Sequence, residues 1–225
     1  MRSLFRNSPS GSEEHDSTEA FLPRDSASVK SNSPMEEAIS WTIYDLQDKS
    51  THDEKGRKVP DSQHAIFLPP GPEADAAWAD IVKYNNIRIS PDEVPEDYRG
   101  LPGLVELNDG SGDVYANVAV YHSVHCIKRV HHMLYFEHYH PERSEKQKID
   151  LLQHAEHCLQ YLLDAVRCNA DLTIFPMQWG VGQRIPFGID QGRHQCKDWN
   201  RIDDWMRSRS VDIYEPGLLM HPKLG

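Results

Sequence analysis

Apolar residues recur along this chain in two rhythms, and two stretches nearly lack them. Residues 1–34 are polar and serine-rich. They hold too few large apolar side chains to offset chain entropy, which predicts a disordered tail, with a folded domain over 35–225. Beyond Met35, Ile39, Trp41 and Ile43 alternate with polar neighbours, the period of a strand. Residues 47–63 are charged and loop-like, and the apolar segment 66–68 runs into Pro69, Pro70, Gly71 and Pro72, a turn signal. A helix is expected over 73–84, with Ala77, Trp78, Ile81 and Val82 on one side. Pro91 and Pro95 mark a loop through Gly103. The run Asn108-Asp109-Gly110-Ser111-Gly112 predicts a hairpin between 104–107 and 114–120.

The longer rhythm follows. A helix is expected from about Val120 to Tyr139, stopped by Pro141. Ser144 with Gln147 three residues on makes a capping box for a second helix reaching Asn169. Leu152, Ala155, Leu159, Leu162, Leu163 and Val166 give that helix a continuous face at a period of about 3.6, expected to be its buried side. The short connection makes the two helices antiparallel neighbours. A loop with Pro176, Trp179, Gly180, Pro186 and Gly188 comes next, and Asp198 caps a last helix carrying Trp199, Ile202, Trp205 and Met206. The expected fold is mainly α, with α+β as the alternative: two antiparallel helices, long irregular loops and a small hairpin.

Composition narrows the function. A chain of 225 residues suits one domain plus a tail. A formal net charge of -11 argues against nucleic acid as a partner, because phosphate contacts need a basic face. No apolar run approaches the roughly 20 residues of a spanning helix, and the N-terminus lacks the apolar core of a signal peptide. The sequence has no glycine-rich phosphate loop, no Gly-x-Ser-x-Gly elbow and no His-Glu-x-x-His.

What the chain has in excess is histidine: 13 in all, eight of them between His122 and His157. Within that span His-x-x-His-Cys occurs twice, as His122-Ser123-Val124-His125-Cys126 and His154-Ala155-Glu156-His157-Cys158. On a helix, residues i and i+3 share a face. Each motif therefore aims two imidazoles one way, and if the helices pack face to face the four converge between them, a transition-metal site. Cys126 and Cys158 are open to three readings: ligand, disulfide partner or core filler. A mixed His and Cys set would favour structural zinc; an all-imidazole set with an open position would favour redox chemistry or hydrolysis. His194, two residues before Cys196, is a further candidate ligand if a Cys168–Cys196 link or another cysteine link draws it in. His131, His132, His138 and His140 are expected to be mostly solvated, with His131 or His132 supporting the site. Glu156 points away from its flanking histidines, and Trp179, Trp199 and Trp205 read as core.

These motifs closely resemble the UstYa-like fungal oxidases, enzymes of mycotoxin and ribosomal cyclic-peptide pathways. Cys168-Asn169-Ala170-Asp171-Leu172-Thr173 and His194-Gln195-Cys196-Lys197-Asp198-Trp199 resemble that family's later blocks, so the resemblance covers roughly residues 36–210. It implies copper (zinc or iron being alternatives) on His122, His125, His154 and His157. It also implies oxidative cyclisation, hydroxylation or halogenation of a small molecule or peptide. Family members usually carry an N-terminal membrane anchor, which this sequence lacks ahead of its domain, so a soluble chain is expected. Two rival expectations stand beside this one: a non-catalytic structural-zinc domain, and an accessory paralogue forming homo- or hetero-oligomers with a family partner.

Overall fold

The structure is a computed structural model that describes residues 33–46, 50–52, 58–60, 69–180, 184–189 and 192–224. The expected tail falls almost wholly outside these residues, as does the 66–68 segment. In chain order the elements are β1 (Trp41–Leu46), β2 (Ser50–His52), β3 (Lys58–Pro60), α1 (Pro72–Ile81), β4 (Ile87–Ile89), β5 (Val114–Ala116), α2 (Ala119–Leu134), α3 (Phe136–Tyr139), α4 (Glu145–Asn169), β6 (Met177–Gln178), β7 (Phe187–Gly188), β8 (Gly192–Lys197) and α5 (Trp199–Arg209). The strands pair only in antiparallel twos: β1 with β8, β2 with β3, β4 with β5, and β6 with β7. Helices dominate, with small sheets between them.

The core forms where α5 lies against the β4–β5 ribbon. Ile87, Ile89 and Val114 from the ribbon meet Ile202, Trp205 and Met206 from α5, and Tyr121 from α2 joins them. Removing side chains of this size from water stabilises the fold by about 1.5–3 kcal/mol each. The helix caps follow the sequence. Asp198 accepts from the Asn200 N–H at 3.0 Å at the start of α5. Ser144 and Gln147 make the reciprocal capping box of α4.

Several expectations change. Residues 47–63 contain the β2–β3 pair rather than loop alone. The 104–120 hairpin is short, held by the Glu106–Val114 bridge with backbone bonds from Leu107 to Asp113 (2.9 Å) and from Tyr115 to Val105 (2.8 Å), and β5 pairs on its other edge with β4, which places Val114 in the core. The 120–139 helix breaks at Tyr135 (φ -116°, ψ 44°), which turns α3 so that Tyr139 stacks on His132 at 3.8 Å and reaches Asp75 at 3.1 Å. Residues 192–197, expected as loop, form β8 beside β1. Of the apolar face expected to bury α4, only Ala155 is buried; Leu152, Leu159, Leu163 and Val166 are exposed. His131 is buried, its ring 5.4 Å from Trp78, and Trp179 is exposed rather than core.

One ion pair ties the core together from outside. Arg209, the last residue of α5, donates to Glu93 Oε2 at 2.7 Å, and the Ser90 N–H and hydroxyl donate to the same oxygen. These bonds hold the Glu93 carboxyl at about 2, well below the usual carboxylate range, the Arg209 hydrogen bond being the largest cause. A depressed folded-state pKa adds stability that is present above the unfolded pKa and disappears as pH falls through the folded value. Thermal or denaturant unfolding of Glu93→Gln should show a loss of about 1–3 kcal/mol at neutral pH, shrinking toward zero between about pH 4.5 and pH 2.

Candidate metal centre

The two pentapeptides sit at one level of one helix pair. Tyr161 Oη on α4 donates to the Ala119 carbonyl on α2 at 3.2 Å, and the Tyr161 ring meets His122 edge-on at 4.5 Å. Further along, Cys126 is hydrogen-bonded to Cys158, and Arg129 acts electrostatically on His154. As the α2 number rises the α4 number falls, so the helices are antiparallel as expected.

Cys126 and Cys158 are both fully buried where the helices touch. The thiols fill the seam itself, and imidazoles of the two helices lie near one another beside it, His154 acting electrostatically on His125 and His122 on His154. Successive helical residues rotate by about 100°, so in each motif the two histidines lie about 40° and 100° to one side of the cysteine. Because the helices are antiparallel with cysteine facing cysteine, a local two-fold relates the motifs. The same rotation on both helices leads to the same side, and His122, His125, His154 and His157 share one face of the pair.

α2 is held in this orientation by the rest of the fold. Tyr121, fully buried beside His122, donates its hydroxyl to Asp203 on α5 at 2.5 Å and stacks on Trp199 at 5.2 Å. Burial and the Asp203 contact push the Tyr121 phenol well above its ordinary pKa, so it stays a donor. Trp78 of α1 supports α2 at His131.

The histidine face suits a metal in donor type and protonation. Burial first, then Arg129, lowers the pKa of both His125 and His154, which keeps these imidazoles neutral. The Arg129 Nε–H donates to His125 Nε2 at 3.3 Å, which places the His125 proton on Nδ1 and turns the Nε2 lone pair toward the face. The spacing is wider than a bound ion needs. Ring centroids are 6.1 Å apart for His122 and His125 and 6.5 Å for His154 and His157. Two imidazoles on one tetrahedral metal, with bonds of about 2.0–2.1 Å, stand about 5 Å apart. Among the described residues no group of three or more His, Cys, Asp or Glu is close enough to hold a metal ion. The donors fit; closure needs side-chain rotation, with Arg129 leaving the lone pair it occupies.

The two motif cysteines pack against each other in the helix seam. All four cysteines are free thiols. Burial, then the bond to Cys158, pushes the Cys126 thiol up to about 12, so in this arrangement it is a protonated, buried partner of Cys158.

His194 lies elsewhere. It is buried in β8, and its Nδ1 is 2.6 Å from Asp171 Oδ2. Asp171 follows α4, whose last residue is twelve positions past His157, or about 18 Å along the axis. The structure thus brings together the two downstream sequence blocks but does not bring His194 to the four motif histidines. Asp171 is a residue the sequence reading missed. Thr173 fixes it through its N–H (2.9 Å) and hydroxyl (2.7 Å). Thr173 first, then His194, holds the Asp171 carboxyl at about 2. Ala170, at φ 26°, is the one non-glycine residue with positive φ among those described, and this turn aims Asp171 at the imidazole. The Asp-x-Thr spacing just past the helix end was the available signal.

The second histidine group is aromatic in character. His132, stacked on Tyr139, is held at about 4 by burial and by Lys128, with no hydrogen-bond partner for Nε2 among the described residues.

Comparison with known proteins agrees with the motifs. A sequence profile of the family described as "Mycotoxin biosynthesis protein UstYa" matches residues 5–209. The chain is similar to "UstYa family oxidase aprY" of Aspergillus flavus, 24% identical over 157 residues covering 64% of this chain and 46% of the relative. It is 29% identical to "Chlorinase cctP2" of Talaromyces islandicus over 141 residues, 62% of this chain and 42% of that one. It is 26% identical to "UstYa family oxidase phomYd" of Diaporthe leptostromiformis, over 62% of this chain and 45% of that one. The chain therefore spans less than half the length of each of these relatives. No solved structure matches it significantly.

The Asp171 contact makes a prediction of its own. With Nδ1–H donating to a carboxylate, His194 carries its lone pair on Nε2. In Asp171→Asn an amide N–H facing Nδ1 favours the opposite tautomer. Long-range 1H–15N spectra of histidine-labelled protein should show a protonated Nδ1 in the parent chain and a protonated Nε2 in the variant.

Proposed function

From the premise that this chain belongs to the UstYa family, we propose that it is a tailoring oxidoreductase of secondary metabolism whose metal is held by His122, His125, His154 and His157. The observation that carries this reading is the shared face: two imidazole pairs, related by a local two-fold, with half-buried His125 and more exposed His154 both shifted toward the neutral form by partial desolvation and by Arg129. Imidazole-only donor sets suit copper, with iron or zinc as substitutes. When bound, copper supplies one-electron oxidation and reduction. The reaction class we assign is oxidation at an unactivated C–H of a small molecule or peptide, ending in ring closure, a hydroxyl or a carbon–halogen bond. The names of the relatives, oxidases and a chlorinase, support that range.

The chain's own residues prepare this face. Tyr161 sets the His122 ring edge-on, and Tyr121 with Trp78 fixes the rotation of α2. Arg129 holds His125 in the tautomer with its lone pair on Nε2, which a metal takes once Arg129 releases it. The structural-zinc alternative has less support, because a mixed site needs thiolates and both motif thiols face each other inside the helix seam.

His125→Ala and His157→Ala should each lose copper on dialysis, by tenfold or more in affinity, and lose product formation when returned to a strain deleted for the gene. Retention of metal in both variants sinks the proposal. Arg129→Met removes a cation and a competing donor from the face, and should raise copper affinity about tenfold in a competitive chelator titration.

A further inference from the structure

The flank of the α2–α4 pair opposite the histidines is apolar and exposed. On α4 it carries Ile149, Leu152, Leu159, Leu163 and Val166, with Val166 68% exposed. These fall three, seven, four and three residues apart, and Glu156 fills the vacant heptad place. On α2, Val120, Ile127 and Leu134 follow one another at intervals of seven, Leu134 being 75% exposed. Measured from the facing cysteines, both sets lie about 80–180° to the side away from the histidines. A helix pair that is apolar on its inner seam and again along an outer flank is half of a four-helix bundle.

We propose that a second copy of this chain covers this flank, two helix pairs packing about a two-fold axis as a four-helix bundle. The spacing of the stripe argues for a copy of itself. When two α4 helices run antiparallel about the point midway between His157 and Cys158, Ile149 meets Val166, Leu152 meets Leu163, and Glu156 meets Leu159. Two of these three pairings set aliphatic against aliphatic side chains on both sides of the axis, as an isologous interface requires, and the third sets Glu156 beside Leu159. A parallel pairing would oppose Glu156 to Glu156 inside an apolar seam, which charge repulsion disfavours. Gln153 and Gln160, beside the stripe, are uncharged; of the cations in the same sector, Lys148 is turned onto the Phe136 ring at 4.8 Å and Arg167 lies at the outer edge. Contact along four to five turns from each partner buries on the order of 1,000 Å², the lower edge of specific interfaces. The dimer is therefore reversible rather than obligate, and the histidine faces stay open on its outside. This inference does not depend on the metal reading.

Sedimentation equilibrium of the full chain tests it, with metal content measured on the same samples. A monomer–dimer equilibrium in the micromolar range is expected. Leu159→Glu with Leu163→Glu, both exposed positions that leave the core untouched, should shift it to monomer with an unchanged circular dichroism spectrum. Glu156→Leu should tighten it tenfold or more. A chain that stays monomeric at about 100 µM, a dimer indifferent to the double glutamate variant, or association only with a different family member overturns the proposal, whatever the metal content.

Discussion

The contact between the Cys126 and Cys158 thiols fixes the level at which α2 and α4 meet, and the rest of the site inherits its geometry from that level. Thiols are small enough to let two helices approach closely and, protonated, they behave as hydrophobes. Once cysteine faces cysteine in an antiparallel pair, the positions of the four histidines follow from helical rotation alone. They lie on a common face, half-buried on α2 and exposed on α4. A shift of one residue in this register would turn the two pairs away from each other. The fifth residue of each pentapeptide is therefore what makes the first and fourth useful.

The rest of the fold serves mainly to hold α2. α5 and the β4–β5 ribbon form a core that takes in Tyr121, and α1 presses Trp78 against His131. α4 contributes little to that core, with only Ala155 and Cys158 buried among its residues. It is attached along a narrow seam and leaves two further surfaces, one lined with imidazoles and one with aliphatic side chains. Such division of one helix among three environments explains its composition, which mixes charged, histidine and leucine positions without a single clean amphipathic stripe.

Local signals were legible in the sequence where short-range chemistry decides structure. The Ser144–Gln147 box, the Asp198 cap, the 72–81 helix and the antiparallel helix pair belong to this class. The expectations that changed were those decided at long range. Val114 pairs with β4 as well as across its own turn, and the β4 pairing, which local turn chemistry does not announce, buries it against α5. The leucine face of α4 has the right period for a core helix, but periodicity cannot say which surface meets α2, and the cysteine face does. His194 could not be placed from spacing, since its partner Asp171 is 23 residues away in sequence and is aimed by the backbone turn at Ala170.

Paramagnetic resonance and optical absorption of the copper-loaded full chain test the central claim most directly. That claim is that the imidazoles hold the metal while the thiols hold the helices. The account predicts hyperfine coupling to several imidazole nitrogens and no sulfur-to-copper charge-transfer band. Such a band, or the spectrum of hydrated copper without nitrogen coupling, would contradict it.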